Sequence, residues 1–138
     1  MPRIFALLLS VSAAAWSAGD VPLELRGGWV RSAPPTAKVL AGYGTLHNPG
    51  DRALVVTGAR SPDFDRAALH EMSMEQGVMK MRELQRVEVA PRSDVALEPG
   101  ARHLMLFGPK RPLEAGDRVA LELILQDGGT VAATLEVR

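Results

Sequence analysis

The stretch LELILQDGGTVAATL, residues 121–135, is the clearest guide to how this sequence folds. Leu121, Leu123 and Leu125 alternate with other side chains, and a period of two is typical of a half-buried β-strand. Asp127-Gly128-Gly129 then supplies turn residues before a second alternating run. The stretch therefore predicts a β-hairpin that closes the chain.

Similar short runs recur towards the N-terminus, separated by proline and glycine turn signals such as Asn-Pro-Gly-Asp at 48–51 and Glu-Pro-Gly at 98–100. We expect strands near residues 23–31, 38–47, 53–59, 67–74, 78–84, 95–97, 102–107, 118–126 and 130–137. No amphipathic helix of useful length is predicted, although residues 62–69 are compatible with one helical turn. Regular short strands favour an all-β, antiparallel β-sandwich with Greek-key connections.

Composition excludes several classes of function. The chain has 138 residues, a length typical of one domain, and its 16 basic and 16 acidic residues balance. A nucleic-acid partner is not expected, because such proteins carry a basic patch. There is no cysteine, which rules out a disulfide, a thiolate ligand and a blue-copper electron-transfer site. No nucleophile–base pattern indicates an enzyme.

The N-terminus is typical of an export signal. Arg3 precedes an apolar run at residues 4–16 that is too short to span a bilayer, and small residues follow it. We expect a signal peptide at residues 1–19, with cleavage after Ser17 or Gly19, and a single domain at residues 20–138. The mature protein is then expected to be periplasmic, without a membrane span, and monomeric.

The methionines of the mature chain are clustered. All five lie between residues 72 and 105: Met72, Met74, Met79, Met81 and Met105. Methionines that merely fill gaps would be scattered through the core. If Glu75-Gln76 forms a two-residue turn, His70 pairs with Met81 and Met72 with Met79, and all four methionines of this hairpin share one face with His70. A three-residue loop containing Gly77 would shift the register by one.

A second pair of metal-binding side chains lies at residues 102–107. In a strand, His103 and Met105 share one face, while Leu104 and Leu106 point to the other. Two imidazoles and two thioethers would form a neutral, soft set of ligands. Such a set favours Cu(I) over Zn(II), Mg(II) or Ca(II).

His70, Met81, His103 and Met105 follow the spacing H-x10-M-x21-H-x-M, which resembles the periplasmic copper chaperones called PCuAC. The resemblance extends over residues 21–138 and includes HEMSMEQGVMKMR, HLMLFG and the final hairpin. It implies a cupredoxin-like β-sandwich in which these four residues bind Cu(I). Many members have methionine directly after the first histidine, where this chain has Glu71.

The resemblance also implies a function in copper delivery. The acceptor would be the CuA centre in subunit II of cytochrome c oxidase, with a Sco-type thiol protein acting alongside. Two alternatives stay open: a copper-buffering or resistance protein, and a copper-independent exported domain that binds another protein.

Other candidate side chains have simpler interpretations. Met72, Met74 and Met79 could be auxiliary ligands, but an apolar lip around the ion or ordinary packing is favoured. His47 precedes a turn and is interpreted as a surface or hydrogen-bonded histidine. Trp29 and Tyr43 are expected to fill the core or to cover a sheet edge.

Overall fold

The computed structural model describes residues 23–138, so the predicted signal peptide at residues 1–19 lies outside the described residues. The described chain forms ten strands: β1 (Glu24–Val30), β2 (Val39–Asn48), β3 (Leu54–Arg60), β4 (Phe64–Glu75), β5 (Val78–Glu83), β6 (Val87–Val89), β7 (Ser93–Leu97), β8 (Arg102–Pro109), β9 (Arg118–Leu125) and β10 (Thr130–Val137). Within this part of the chain there is no helix that could cross a membrane.

Seven of these strands close into a ring in the order β4-β8-β2-β1-β10-β9-β3. Ala59 of β3 pairs with Ala67 of β4 and completes the closure. Strands β5, β6 and β7 pair with β4, β3 and β2 respectively and lie outside the ring. Partners far apart in sequence, such as β4 with β8 and the parallel pair β1 with β10, make the connections Greek-key in type. The predicted all-β sandwich is confirmed.

The core lies between the inner faces of the strands and is built mainly from leucine and valine. Leu104 and Leu106 of β8 are fully buried there, as their alternation predicts, and Leu69 of β4 is almost completely buried. Each such side chain contributes about 2 kcal/mol of transfer free energy. Because successive side chains of a strand point to opposite faces, burying Leu104 and Leu106 places His103 and Met105 on the outer face of the sheet.

Strand β4 is longer than predicted, and its first residues correct one expectation. Residues 62–69 do not form a helical turn, because Phe64 pairs with Pro109 and Leu69 with Leu104 in the ladder to β8. Beyond Glu71 the strand leaves β8 and continues only with β5. The β4–β5 hairpin therefore projects past the end of the ring, with residues on both of its faces open to solvent.

Candidate metal centre

His70 and His103 are direct cross-strand partners on the outer face of the sheet. They pair in the ladder between β4 and β8, and their ring centroids are 6.0 Å apart. An ion bound ~2 Å from one nitrogen of each ring would lie ~3 Å from each ring centre. A centroid separation of this size therefore allows both imidazoles to bind a single ion.

The ring of His70 lacks hydrogen-bond partners. In the described residues only three buried side-chain nitrogen or oxygen atoms are unpaired, and two of them are Nδ1 and Nε2 of His70; the third is Oγ of Ser73. A buried polar atom without a partner costs about 1–3 kcal/mol, so such atoms need an explanation. A metal ion bound on the outer face of the sheet would take one of these two nitrogens as a ligand. The unpaired ring of His70 is therefore compatible with a metal site.

The electrostatic surroundings of His70 favour its neutral form. Its pKa is lowered from the ordinary value, first of all by desolvation. The opposing charge of Glu83 raises the pKa, whereas His103 and Arg66 lower it further. Glu83 lies directly across from His70 in β5, and Arg66 binds its carboxylate at 2.7 Å. A neutral imidazole keeps the lone pair that a metal ion requires.

His103 is held in one orientation by the backbone and by aromatic rings. It is 4% exposed, and its Nδ1 is 3.1 Å from the carbonyl oxygen of Ala101. Since a carbonyl only accepts, Nδ1 carries the proton, and in the neutral ring Nε2 keeps its lone pair. The ring of Tyr43 lies 6.4 Å from His103, and Trp29 packs on Tyr43 at 4.7 Å.

Both predicted methionine ligands lie diagonally from His70, on opposite sides. Met105 is two residues along β8 from His103 and pairs with Ala68. Met81 is on β5, directly opposite Met72. Diagonal neighbours in a sheet lie ~7–8 Å apart, so both thioether side chains must lean towards His70 to bind an ion there. Met105 is half-buried, whereas Met81 is 48% exposed.

The observed register of the β4–β5 hairpin corrects the predicted one. Gln76 and Gly77 form the two-residue turn, with φ of 50° and 77°, as a type I′ turn requires. Glu75 therefore pairs with Val78, and the predicted pairs His70–Met81 and Met72–Met79 are wrong. The shift is two residues, which leaves every side chain on its predicted face.

Further side chains lie near the histidines; Met72 was weighed from the sequence as an auxiliary ligand or part of an apolar lip, whereas Arg66 and Glu83 were not singled out. Met72 is two residues along β4 from His70, which places it ~6.7 Å away, as near as Met81. Phe107 lies 6.1 Å from the ring of His70, and Arg66 covers Phe107 at 4.9 Å. Together with Glu83, Arg66 forms a charged rim that no local sequence signal indicates.

The remaining candidates from the sequence are His47, Tyr43 and Trp29. His47 lies apart from the histidine pair, whereas the two aromatic residues pack beside it. Nδ1 of His47 is hydrogen-bonded to Asp94, which confirms the interpretation of a bonded histidine. Tyr43 is buried, and with Trp29 it covers the outer face beside His103. Among the described residues no group of three or more histidine, aspartate and glutamate side chains could hold a metal ion.

Comparisons with known proteins agree on one family. Residues 23–137 match the family model described as "Putative lipoprotein LpqE-like". A protein of Leifsonia xyli subsp. xyli (strain CTCB07) described as a "Putative lipoprotein" is 31% identical over 117 residues, which are 84% of this chain and 69% of that protein.

Solved structures share the fold. The solution structure of CuI-DR1885 from Deinococcus radiodurans has a TM-score of 0.64 and 30% identity, covering 91% of this chain and 85% of that one. A copper-bound PCuAC domain from PmoF2 has a TM-score of 0.69 and 20% identity, covering 85% and 92% of the two chains.

Proposed function

This chain belongs to the LpqE-like family, which is the PCuAC family, and on that premise we propose that it is a copper carrier of the periplasm. It binds one Cu(I) and passes the ion to an acceptor protein. The ligands are two imidazoles and two thioethers: His70, His103, Met81 and Met105. Copper is the cargo of this protein, which is proposed as a carrier and not as an enzyme.

The observation that carries the proposal is the pairing of His70 with His103 on an outer sheet face that also bears the methionines. His70 is unpartnered, and His103 keeps one nitrogen free, so imidazole nitrogens of two histidines are available at one place. Thioethers stay neutral at every ordinary pH and prefer Cu(I). The copper-bound states of DR1885 and of the PmoF2 domain support the same cargo.

The position of the centre suits transfer of the ion. It lies on the outer face of the sheet and not in the core, and Met81 is half exposed. An incoming ligand from an acceptor can therefore replace Met81 while the histidines still hold the ion. The aromatic rings of Tyr43 and Phe107 limit access of water from the other sides.

Titration of the reduced protein with Cu(I) under anaerobic conditions, against a competing chelator, tests the proposal. We expect one tightly bound ion, and X-ray absorption should show both nitrogen and sulfur ligands. A spectrum with nitrogen or oxygen ligands alone would refute the proposed ligand set. Absence of tight binding would favour a copper-independent protein-binding domain.

By the family resemblance, the proposed acceptor is the CuA centre of cytochrome c oxidase subunit II, with a Sco-type thiol protein as a further partner. Mixing the Cu(I)-loaded protein with apo subunit II, with and without the Sco-type protein, tests this step. Copper should appear in the characteristic absorption of CuA. Retention of the ion by the carrier under all conditions would favour copper buffering.

A further inference from the structure

The methionines that the proposed centre does not use form a separate group on the projecting hairpin. We propose that Met72, Met74 and Met79 bind a second Cu(I), more weakly than the histidine centre does. This second site, the thioether ladder, rests on the proposed function for the identity of the ion. Its ligands rest on the geometry of the hairpin itself.

The register places the three sulfur-bearing side chains in two adjacent rows. Met74 pairs with Met79 and Met72 pairs with Met81, all on the face that also bears His70. Cross-strand partners have Cβ atoms ~4.5–5.5 Å apart, and successive rows on one face are ~6.7 Å apart. Methionine has three rotatable side-chain bonds, so sulfurs from both rows can converge on one ion.

Packing does not explain these side chains. Met74 is 64% exposed and Met79 is 48% exposed, so neither fills the core. Five large hydrophobic side chains are exposed in the described part of the chain, and four of them lie on β4 and β5. Exposed apolar side chains gathered on one element indicate an interaction site.

The charged side chains near the hairpin turn lie on the face opposite the methionines, which favours a soft metal ion over a hard one at the methionine face. On the opposite face of the hairpin, the carboxylate of Glu75 is bound by Lys80 and Arg82. No carboxylate lies in the two thioether rows, because their four members are all methionines. Hard cations such as Mg(II) and Ca(II) therefore find no oxygen ligands there, whereas three thioethers favour Cu(I).

The ladder lies between the hairpin turn and the histidine centre. It begins next to the Gln76-Gly77 turn, and Met72 ends it two residues from His70. An ion taken up at the exposed end would need to move one row, ~6.7 Å, to come within reach of Met81 and His70. The second site is thus placed to capture Cu(I) and to load the primary centre.

The test uses protein labelled with 13C on its methionine methyl groups and titrated anaerobically with Cu(I). We expect the methyl signals of Met105 and Met81 to shift with the first equivalent. The signals of Met74 and Met79 should shift with a second. The double variant Met74→Leu/Met79→Leu keeps apolar side chains of similar size and should bind the second equivalent at least tenfold more weakly. Its affinity for the first should change less than twofold.

Val78→Leu is the matched control, because Val78 lies on the same hairpin but on its other face and is 57% exposed. This variant should bind both equivalents as the parent does. Unmoved signals of Met74 and Met79 at excess Cu(I) would overturn the second site, as would a double variant that binds the second ion as tightly as the parent does. A single step in which all methyl signals shift together would also overturn it.

Failure of the primary centre is a distinct result. It would leave Met105 unmoved by the first equivalent, whatever the ladder does. The ladder is judged by the signals of Met74 and Met79 alone.

Discussion

Replacing His103 with asparagine separates the two roles of its imidazole. In the wild-type protein Nδ1 donates to the carbonyl oxygen of Ala101 at 3.1 Å, and Nε2 is the nitrogen left for the metal. An asparagine amide places its NH2 group near the position of Nδ1 but has no atom near that of Nε2. The His103→Asn variant should therefore keep the contact with Ala101 and lose a copper ligand.

The size of both effects follows from these contacts. Retaining the hydrogen bond to Ala101 limits the loss of folding stability to about 1 kcal/mol. Disturbing a group that only orients a metal ligand costs ~10–100-fold in affinity, so losing the ligand itself should cost at least ~100-fold, or ~2.7 kcal/mol. At a Cu(I) concentration of about 100 times the wild-type Kd, binding stabilises the wild-type protein by ~2.7 kcal/mol and the variant by less than ~0.5 kcal/mol. For a domain of this length, that difference corresponds to roughly 10 °C in Tm.

Thermal unfolding with and without Cu(I) measures the effect, and chelator competition gives the affinity independently. The matched control is His47→Asn, because Nδ1 of His47 is also hydrogen-bonded, to Asp94, but His47 lies away from the methionines. The control should show the full copper-induced rise in Tm. An unchanged affinity in His103→Asn would refute the assignment of this residue as a ligand. Equal losses in both variants would refute the specific role of the histidine pair.

Three further predictions concern one residue each. Met105→Leu removes a sulfur at similar volume and should lower Cu(I) affinity at least tenfold by chelator competition; an unchanged affinity contradicts its role as a ligand. Asn48 is fully buried; its NH2 group donates to backbone carbonyl oxygens, three of which lie within 3.2 Å, and its Oδ1 accepts from the N–H of Gly50, so Asn48→Ala should cost roughly 2–4 kcal/mol. Urea unfolding with an unchanged midpoint would contradict this estimate. The pKa of His70 is lowered in the folded protein, so the unfolded chain binds the proton more readily. The contribution of His70 to the free energy of unfolding is then fully present above about pH 6.5. It decreases as the pH falls towards the pKa of the folded state. NMR titration of the apo protein should show this pKa below its ordinary value, and a normal or raised pKa would contradict the burial argument.

Strand alternation made much of the fold predictable. In β8 the pattern alone placed Leu104 and Leu106 in the core and His103 on the opposite face of the sheet, where it pairs with His70. Strand β6 was missed because Val87–Val89 is too short for a periodic signal and is defined by its pairing with β3. Most of the segment at residues 62–69, from Phe64 onward, is strand because its long-range ladder to β8 outweighs its local preference.

The candidate centre was predictable only in part, because its geometry depends on pairing between distant segments. The spacing of His70 and His103 in sequence carries no information on the β4–β8 register, which makes them direct partners. The position of Tyr43 beside His103 was also not predictable from the sequence, because it depends on the pairing of β2 with β8. The rim of Arg66 and Glu83 likewise depends on the tertiary fold.

The hairpin shows why an incorrect register can still give the correct face. In a strand every second side chain points the same way, so a shift of two residues changes partners but not faces, whereas a shift of one would reverse them. The observed turn at Gln76-Gly77 shifts the predicted pairing by two, so the methionines stay beside His70. The change of partners nevertheless has a consequence for copper. Glu83, and not Met81, lies directly across from His70, so Met81 can reach the ion only by leaning back along β5. In the proposed carrier, a ligand held in this way would be the one most easily displaced, as release of Cu(I) to an acceptor would require.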